Sequence, residues 1–135
     1  MAVNSAIEVD LTDQVCSEKT GGKIVAGVGG SVHYFESAYR SEDGLRIIAL
    51  PTTRWDTVSR IVARQAPGSS LSIPRHSIDA IVREHGVAVL TGRSPCQRAE
   101  ALLAICEPDL SDLLTGPSAA VAGERSDSLT RMDSE

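Results

Sequence analysis

The stretch Arg46-Ile47-Ile48-Ala49-Leu50 decides the fold class, because its apolar residues stand at consecutive positions rather than at every second one. A strand with one face in water alternates apolar and polar residues, whereas a strand buried on both faces is apolar throughout. Ile81-Val82 shows the same pattern farther along the chain. These strands predict an α/β fold with a mostly parallel sheet and flanking helices.

Other short runs rich in Ile and Val extend this strand pattern, each separated from the next by Gly, Pro, Ser or Asp. The predicted strands cover residues 7–11, 23–26, 32–35, 46–50, 58–63, 71–73, 78–82 and 87–90.

A capping box predicts one helix after these strands. Ser94 and Gln97 have the spacing of the box, and Pro95 suits the first helical position. Apolar residues then recur at helical spacing until Pro108, which ends the helix. Residues 109–114 have the pattern of one or two further turns.

The chain is long enough for one domain, since it has 135 residues of which 41% are hydrophobic. We assign residues 1–115 to this domain. Residues 116–135 contain too few apolar side chains to offset the entropy of ordering them, and we predict a disordered tail.

Composition and charge exclude several classes of protein. The net charge of -5 and the aromatic content of 3% argue against nucleic-acid binding, which needs clustered cations and stacking platforms. No apolar run approaches the length of a membrane span, and the N-terminus does not resemble a signal peptide. We therefore expect a cytoplasmic protein with no nucleic-acid or membrane partner.

The cysteines and histidines do not predict a metal site. Cys16, Cys96 and Cys106 form no CxxC pair, and their odd number does not suggest a disulfide framework. The three histidines have no spacing typical of metal ligands. We therefore predict no bound metal.

The turn Gly27-Val28-Gly29-Gly30 follows the predicted strand 23–26 and precedes the predicted strand 32–35. Glycines let backbone N–H groups approach a ligand oxygen closely, so such a turn can hold a phosphate or an oxyanion. Glycine pairs also end strands for purely structural reasons. The turn alone leaves both possibilities open.

Five motifs and the helix that follows them occur in a fixed order. They are Asn4-Ser5-Ala6-Ile7-Glu8-Val9-Asp10-Leu11, Gly27-Val28-Gly29-Gly30, Ile47-Ile48-Ala49-Leu50-Pro51-Thr52-Thr53, Ser59-Arg60-Ile61-Val62, Glu84-His85-Gly86-Val87-Ala88-Val89-Leu90-Thr91-Gly92-Arg93-Ser94 and Arg98-Ala99-Glu100-Ala101-Leu102. This series resembles the C-terminal domain of the acetyl-CoA hydrolase and CoA-transferase family, which includes 4-hydroxybutyrate CoA-transferases. The resemblance runs from about Val3 to Leu114.

The resemblance implies an architecture of the NagB/RpiA/CoA-transferase type and a role in acyl-CoA and acetate metabolism. In this family a glutamate attacks an acyl-CoA thioester, and a carboxylate or water resolves the glutamyl-CoA that follows. It therefore implies acyl-CoA and a small carboxylate as substrates. Coenzyme A is a substrate here, and no permanently bound cofactor is expected.

The resemblance also assigns candidate site residues. It implies that the backbone amide of Gly30 belongs to an oxyanion hole and that Ala26, Gly27 and Gly29 shape the same loop around the ligand. It implies further CoA-site positions, which are Arg54, Glu84 and Asn4. The residues themselves also allow simpler roles. Arg54 could be a solvated loop cation, Glu84 a turn cap and Asn4 the end of a strand.

The nucleophilic glutamate of the family belongs to a segment that precedes the Asn-Ser-Ala-x-Glu motif, and no glutamate of these 135 residues matches it. We therefore expect a C-terminal domain that supplies the glycine loop and part of the CoA pocket, and whether this chain alone is an enzyme stays open. The expected protein partner is an N-terminal CoA-transferase half or a second copy of this chain. The alternative is a non-catalytic CoA-binding module or an inactive fragment.

Overall fold

The computed structural model describes residues 1–20, 22–27, 29–51, 53–54 and 58–106. The predicted turns at 109–114 and the predicted tail at 116–135 lie outside these residues. The helices are α1 (Ser31–Arg40) and α2 (Pro95–Ala104), with a 3₁₀ turn at Arg75–Ser77. The strands are β1 (Ala2–Asn4), β2 (Glu8–Asp10), β3 (Val15–Cys16), β4 (Lys19–Thr20), β5 (Lys23–Ile24), β6 (Arg46–Ala49), β7 (Thr53–Arg54), β8 (Val58–Ser59), β9 (Ile61–Val62), β10 (Ala80–Arg83) and β11 (Gly86–Val89).

The main sheet has the strand order β1-β6-β10-β11. Both β1 and β10 run parallel to β6, and β11 returns antiparallel to β10 as a hairpin. Together with the two helices, this arrangement confirms the predicted α/β fold with a mostly parallel sheet.

A second sheet has the order β3-β2-β9, in which β9 is parallel to β2 and β3 is antiparallel to it. The predicted strand at 71–73 is wrong in extent: only Ile73 pairs, through an isolated bridge to Val15. Pro74 follows that bridge, and the chain then enters the 3₁₀ turn instead of a ladder.

The predicted strand at 32–35 is wrong, because these residues lie in α1. The side chains of Phe35 and Ala38 are buried at helical spacing, whereas Tyr34, directly before Phe35, is 64% exposed. A run with apolar residues at three of four positions cannot by itself distinguish a strand from a buried helical turn. The predicted strand at 23–26 shortens to β5, where Ile24 is 76% exposed.

The hydrophobic core lies on one face of the main sheet. Ile48, Ile81 and Ala88 are buried side by side there, and Phe35 of α1 and Leu102 of α2 belong to the same cluster. The prediction of two buried faces therefore holds for one face only among the described residues. On the other face the neighbours of these residues are only partly covered.

The predicted capping box is confirmed at the start of α2. The Gln97 N–H donates to Ser94 Oγ at 3.4 Å, and the Ser94 N–H donates to Gln97 Oε1 at 2.9 Å. One residue later, the Arg98 guanidinium donates to Asp13 Oδ2 at 2.5 Å and to the carbonyl of Leu90 at 3.2 Å. These bonds attach the first turn of α2 to both sheets.

An ion pair joins the starts of β6 and β10. Arg46 Nη2 lies 2.8 Å from Asp79 Oδ1, and the Arg46 backbone N–H also donates to this carboxylate. Thr91, just after β11, donates its hydroxyl to it at 3.0 Å. The hydrogen bonds from Arg46 lower the pKa of Asp79 to about 2.

The three cysteines are free thiols, with Cys16 and Cys106 buried and Cys96 exposed. Burial raises the pKa of the Cys106 thiol. In the described part of the chain, neither helix has the length and apolar character needed to cross a bilayer.

We expect Ser94→Ala to lower the free energy of unfolding by about 1 kcal/mol, since the Gln97 N–H then loses its cap. Urea denaturation followed by circular dichroism measures the change. Ser94→Thr keeps the hydroxyl and is the matched control. An alanine variant as stable as the unmodified chain would contradict a stabilising role for the cap.

We also expect Asp79 to make the chain less stable in strong acid. Because the folded-state pKa is lowered, its contribution is complete above about pH 4 and is lost as the pH falls toward about 2. Urea denaturation across this interval should show a smaller loss of stability for Asp79→Asn than for the unmodified chain. Identical pH dependence in the two proteins would rule out this contribution.

Candidate functional site

The carboxyl ends of three parallel strands bring the candidate site together. Because β1 and β10 run parallel to β6, the end of β1 at Asn4 and the turn after β10 at Glu84 lie on the same edge of the main sheet. Ligands of open α/β sheets bind outside this edge. Glu84 lies two strand spacings from Asn4 across the sheet and three residues beyond its row along β10, so the two residues are roughly 14 Å apart.

The helix α1 returns to the same edge. Residues 41–45 connect its end directly to the start of β6, so the helix runs opposite to the strand and begins near the strand's carboxyl end. Tyr34 in its first turn and Asn4 at the end of β1 line one cleft of about 380 Å³. The glycine turn that leads into α1 therefore lies at the same sheet edge as Asn4.

The glycine turn changes the chain direction immediately before α1. Gly29 has a φ of 61°, in the left-handed region that favours glycine, and Gly30 is the N-cap of the helix. Gly30 contributes no capping side chain, and the first turn of α1 has no acidic residue. The first amides of a helix have no intrahelical acceptor, and the helix dipole is positive there. This end of α1 is chemically suited to an anion. Val28 lies outside the described residues.

The remainder of the predicted loop is exposed, and backbone hydrogen bonds fix the residues where it begins. Ala26 and Gly27 are both exposed. The Ala26 N–H donates to the carbonyl of Glu18 at 3.2 Å, beside a similar bond from Val25 at 2.8 Å. The Ala26 amide is therefore already used within the fold, and its carbonyl is the backbone group that it can offer to a ligand.

The side chain of Tyr34 packs against Gly30. A Cβ atom at Gly30 would lie 2.9 Å from Cε2 of this ring. The sequence pattern did not indicate Tyr34, because residues 32–35 are predicted as a strand. Its position four residues after Gly30 is the signal that a helical assignment would have used.

Asn4 carries a polar atom that needs a partner. Its Nδ2 is buried and has no hydrogen-bond acceptor among the described residues. A buried donor left without an acceptor is costly, so this amide is suited to an incoming carbonyl or carboxylate oxygen.

Glu84 and Arg54 extend the same edge. Glu84 is exposed and forms, with His85, the two-residue turn between β10 and β11. The backbone of Arg54 lies in β7, which follows β6 and pairs with β8 as a hairpin. Its side chain and residues 55–57 lie outside what the structure describes.

The histidines do not come together. His33 is exposed on α1, His85 lies beside Glu84, and His76 precedes β10 and so lies toward the opposite edge. Within the described ranges there is no group of three or more His, Cys, Asp or Glu residues that could hold a metal ion.

The chain is similar to curated acyl-CoA transferases. It is 40% identical over 117 residues to a probable butyrate:acetyl-CoA coenzyme A-transferase of Syntrophomonas wolfei, covering 84% of this chain and 26% of that protein. It is also 40% identical over 115 residues to the 4-hydroxybutyrate coenzyme A transferase of Clostridium kluyveri, covering 84% and 27%. The chain thus spans about a quarter of the length of these relatives.

A solved structure has the same fold. RipA from Yersinia pestis superposes with a TM-score of 0.78 at 34% identity, covering 90% of this chain and 27% of RipA. Residues 1–117 match the sequence profile of the acetyl-CoA hydrolase/transferase C-terminal domain. This match confirms the resemblance found in the sequence, and the chain belongs to the acetyl-CoA hydrolase/transferase family through that C-terminal domain.

Proposed function

We propose that this chain contributes part of the active site of an acyl-CoA transferase or acyl-CoA hydrolase. One observation carries the proposal: the glycine turn before α1 and the unpartnered amide of Asn4 lie at the same sheet edge, and Tyr34, which packs against Gly30, lines one cleft with Asn4. Both offer N–H donors and neither offers a competing anion. Such a pair suits an oxygen that gains negative charge during reaction.

The proposed chemistry needs this charge stabilisation twice. A carboxylate oxygen of the enzyme bonds to the thioester carbon, the carbonyl oxygen becomes an oxyanion, and the carbon–sulfur bond then breaks to release CoA thiolate. The thiolate attacks the enzyme-derived carbonyl of the resulting anhydride and expels the acyl group as a free carboxylate. We assign the Gly30 amide to hold the oxyanion in these steps, with the dipole of α1 adding to its effect.

The attacking glutamate would come from protein outside these 135 residues. The relatives are about four times as long as the matched segment, which supports a site shared with a second part of the protein. This chain would then position the carbonyl oxygen while the other part supplies the nucleophile.

The CoA pocket would extend along the same edge. We assign the loop at Ala26, Gly27 and Gly29 to backbone contacts with the ligand, and Arg54 to a phosphate or carbonyl oxygen of CoA. Glu84 lies at the far side of this edge, where its carboxylate would accept hydrogen bonds from the ligand. The substrates in this proposal are an acyl-CoA and a small carboxylate.

A chimeric enzyme tests the oxyanion assignment. Residues 1–117 replace the matched 115-residue segment of the Clostridium kluyveri transferase. With Tyr34→Ala as background, so that a Cβ at Gly30 meets no ring, Gly30→Ala keeps the amide N–H and Gly30→Pro removes it. We expect the proline variant to have a kcat roughly 100- to 1,000-fold below that of the alanine variant, with little change in KM.

Equal kcat values for these two variants would remove the Gly30 amide from the mechanism. Circular dichroism of each variant, together with its thermal midpoint, separates a catalytic loss from a loss of folding. An inactive chimera without any Gly30 substitution would contradict the proposed function itself.

The isolated chain provides a second test. We expect the 135 residues alone not to release thiol from acetyl-CoA, because the proposed nucleophile is supplied from outside them. Continuous detection of free CoA with a thiol reagent measures this, and the chimera serves as the positive control. Thiol release by the isolated chain that Gly30→Pro abolishes would contradict a nucleophile supplied from outside these residues.

A further inference from the structure

The main sheet has a second face that the described residues leave open. Side chains alternate between the two faces along each strand, and the pairing register brings those on this face next to one another. We call it the open face, and its residues are Val3, Ile47, Ala49, Ala80, Val82, Val87 and Val89, with Leu45 just ahead of β6. All of them are apolar.

Exposure and packing distinguish the open face from the core. Val3, Val87 and Val89 are 52%, 55% and 49% exposed, and Leu45 is 50% exposed. None of the open-face residues belongs to the core cluster of the described chain, which instead joins the opposite face to α1 and α2. Within the described part of the chain, the helices therefore cover one side of the sheet.

A sheet face that stays in water normally carries polar side chains in alternation with the buried ones. The edge strands β1 and β11 also lack the outward charges that usually protect such edges on this face. Half-exposed valines at both edges, with an isoleucine between them, form an apolar surface of the kind that marks a protein interface. The consecutive apolar residues of β6 and β10 are explained in the same way, since one of each pair faces the core and the other faces this interface.

The open face is too small for a stable dimer that forms through this face alone. Three strand spacings by four residues of strand give roughly 200 Å². Two copies docked through this face alone would bury about 400 Å² in total, well below the 1,200–2,000 Å² typical of stable interfaces. The occupant must therefore reach beyond this face.

The open face is continuous with the candidate site. Val3 belongs to the open face and also lines the cleft that Asn4 and Tyr34 share. A protein body that brings a carboxylate to Gly30 can therefore extend across β1 at Val3 onto the open face. The curated relatives have three quarters of their length outside the matched segment, which is enough for such a body.

We infer that the open face is the docking surface for the part of an acyl-CoA transferase subunit that lies outside these residues and carries the nucleophilic glutamate. This inference rests on the proposed function and adds the surface by which the two parts associate. Contact with the open face would set the distance between the incoming carboxylate and the glycine turn.

Thiol labelling tests the surface. Val87→Cys and Val89→Cys place reporters on the open face, and Leu71→Cys is the matched control because Leu71 is 52% exposed in a loop outside that face. All three carry Cys96→Ser to remove the exposed native thiol. Maleimide labelling rates are compared between the 135-residue chain and the chimera with the Clostridium kluyveri enzyme.

We expect labelling at positions 87 and 89 to slow at least tenfold in the chimera, while the Leu71→Cys rate stays within twofold. Equal rates in the two proteins at positions 87 and 89 would overturn the inference. Slow labelling at positions 87 and 89 already in the isolated chain would overturn the inference as well. If dilution restores fast labelling, the occupant of the open face is a second copy of the chain. If deletion of residues 107–135 restores it, the occupant is that segment.

The transferase activity of the chimera is measured separately. An active chimera with unprotected open-face thiols would overturn the docking surface and leave the proposed function intact. Protected thiols in an inactive chimera would support the docking surface and contradict the proposed function.

Discussion

The parallel pairing of β1 and β10 on either side of β6 is the constraint on which the rest of the structure depends. It brings the carboxyl ends of three strands to one edge, so residues distant in sequence, such as Asn4 and Glu84, lie at the same side of the sheet. The pairing is stabilised by burial of Ile48 and Ile81 against both helices, and by the ion pair of Arg46 with Asp79 at the opposite edge. The geometry of the candidate site at one edge of the sheet thus depends on the packing of the core residues at its centre.

The glycine turn acquires its chemical meaning from α1. A glycine turn between two strands would present scattered amides, because alternate N–H groups of a strand point in opposite directions and pair with neighbouring strands. Before a helix, the amides of the first turn point the same way and the dipoles of the following turns add to them. The replacement of the predicted strand 32–35 by α1 therefore strengthens the oxyanion assignment of Gly30.

Local signals predicted part of the fold well. The capping box of α2 needs only Ser94 and Gln97 and no distant partner, and the structure has it as predicted. The apolar runs of β6, β10 and β11 also became strands. The run at 32–35 failed because its burial depends on which side chains meet the sheet, and Phe35 does while Tyr34 does not. Family motifs identified the candidate site residues, but nothing local identified Tyr34 as their neighbour.

The amino-acid sequence by itself determined the α/β class, the start of α2 and membership of the acetyl-CoA hydrolase/transferase family, because each depends on residue types at short or fixed spacings. Only the tertiary structure decided that Asn4 and Tyr34, in the helix after the glycine turn, line one cleft and that the described residues leave one face of the main sheet open. Strand order and register bring these residues together or leave them uncovered, and both are set by long-range packing that no local pattern encodes.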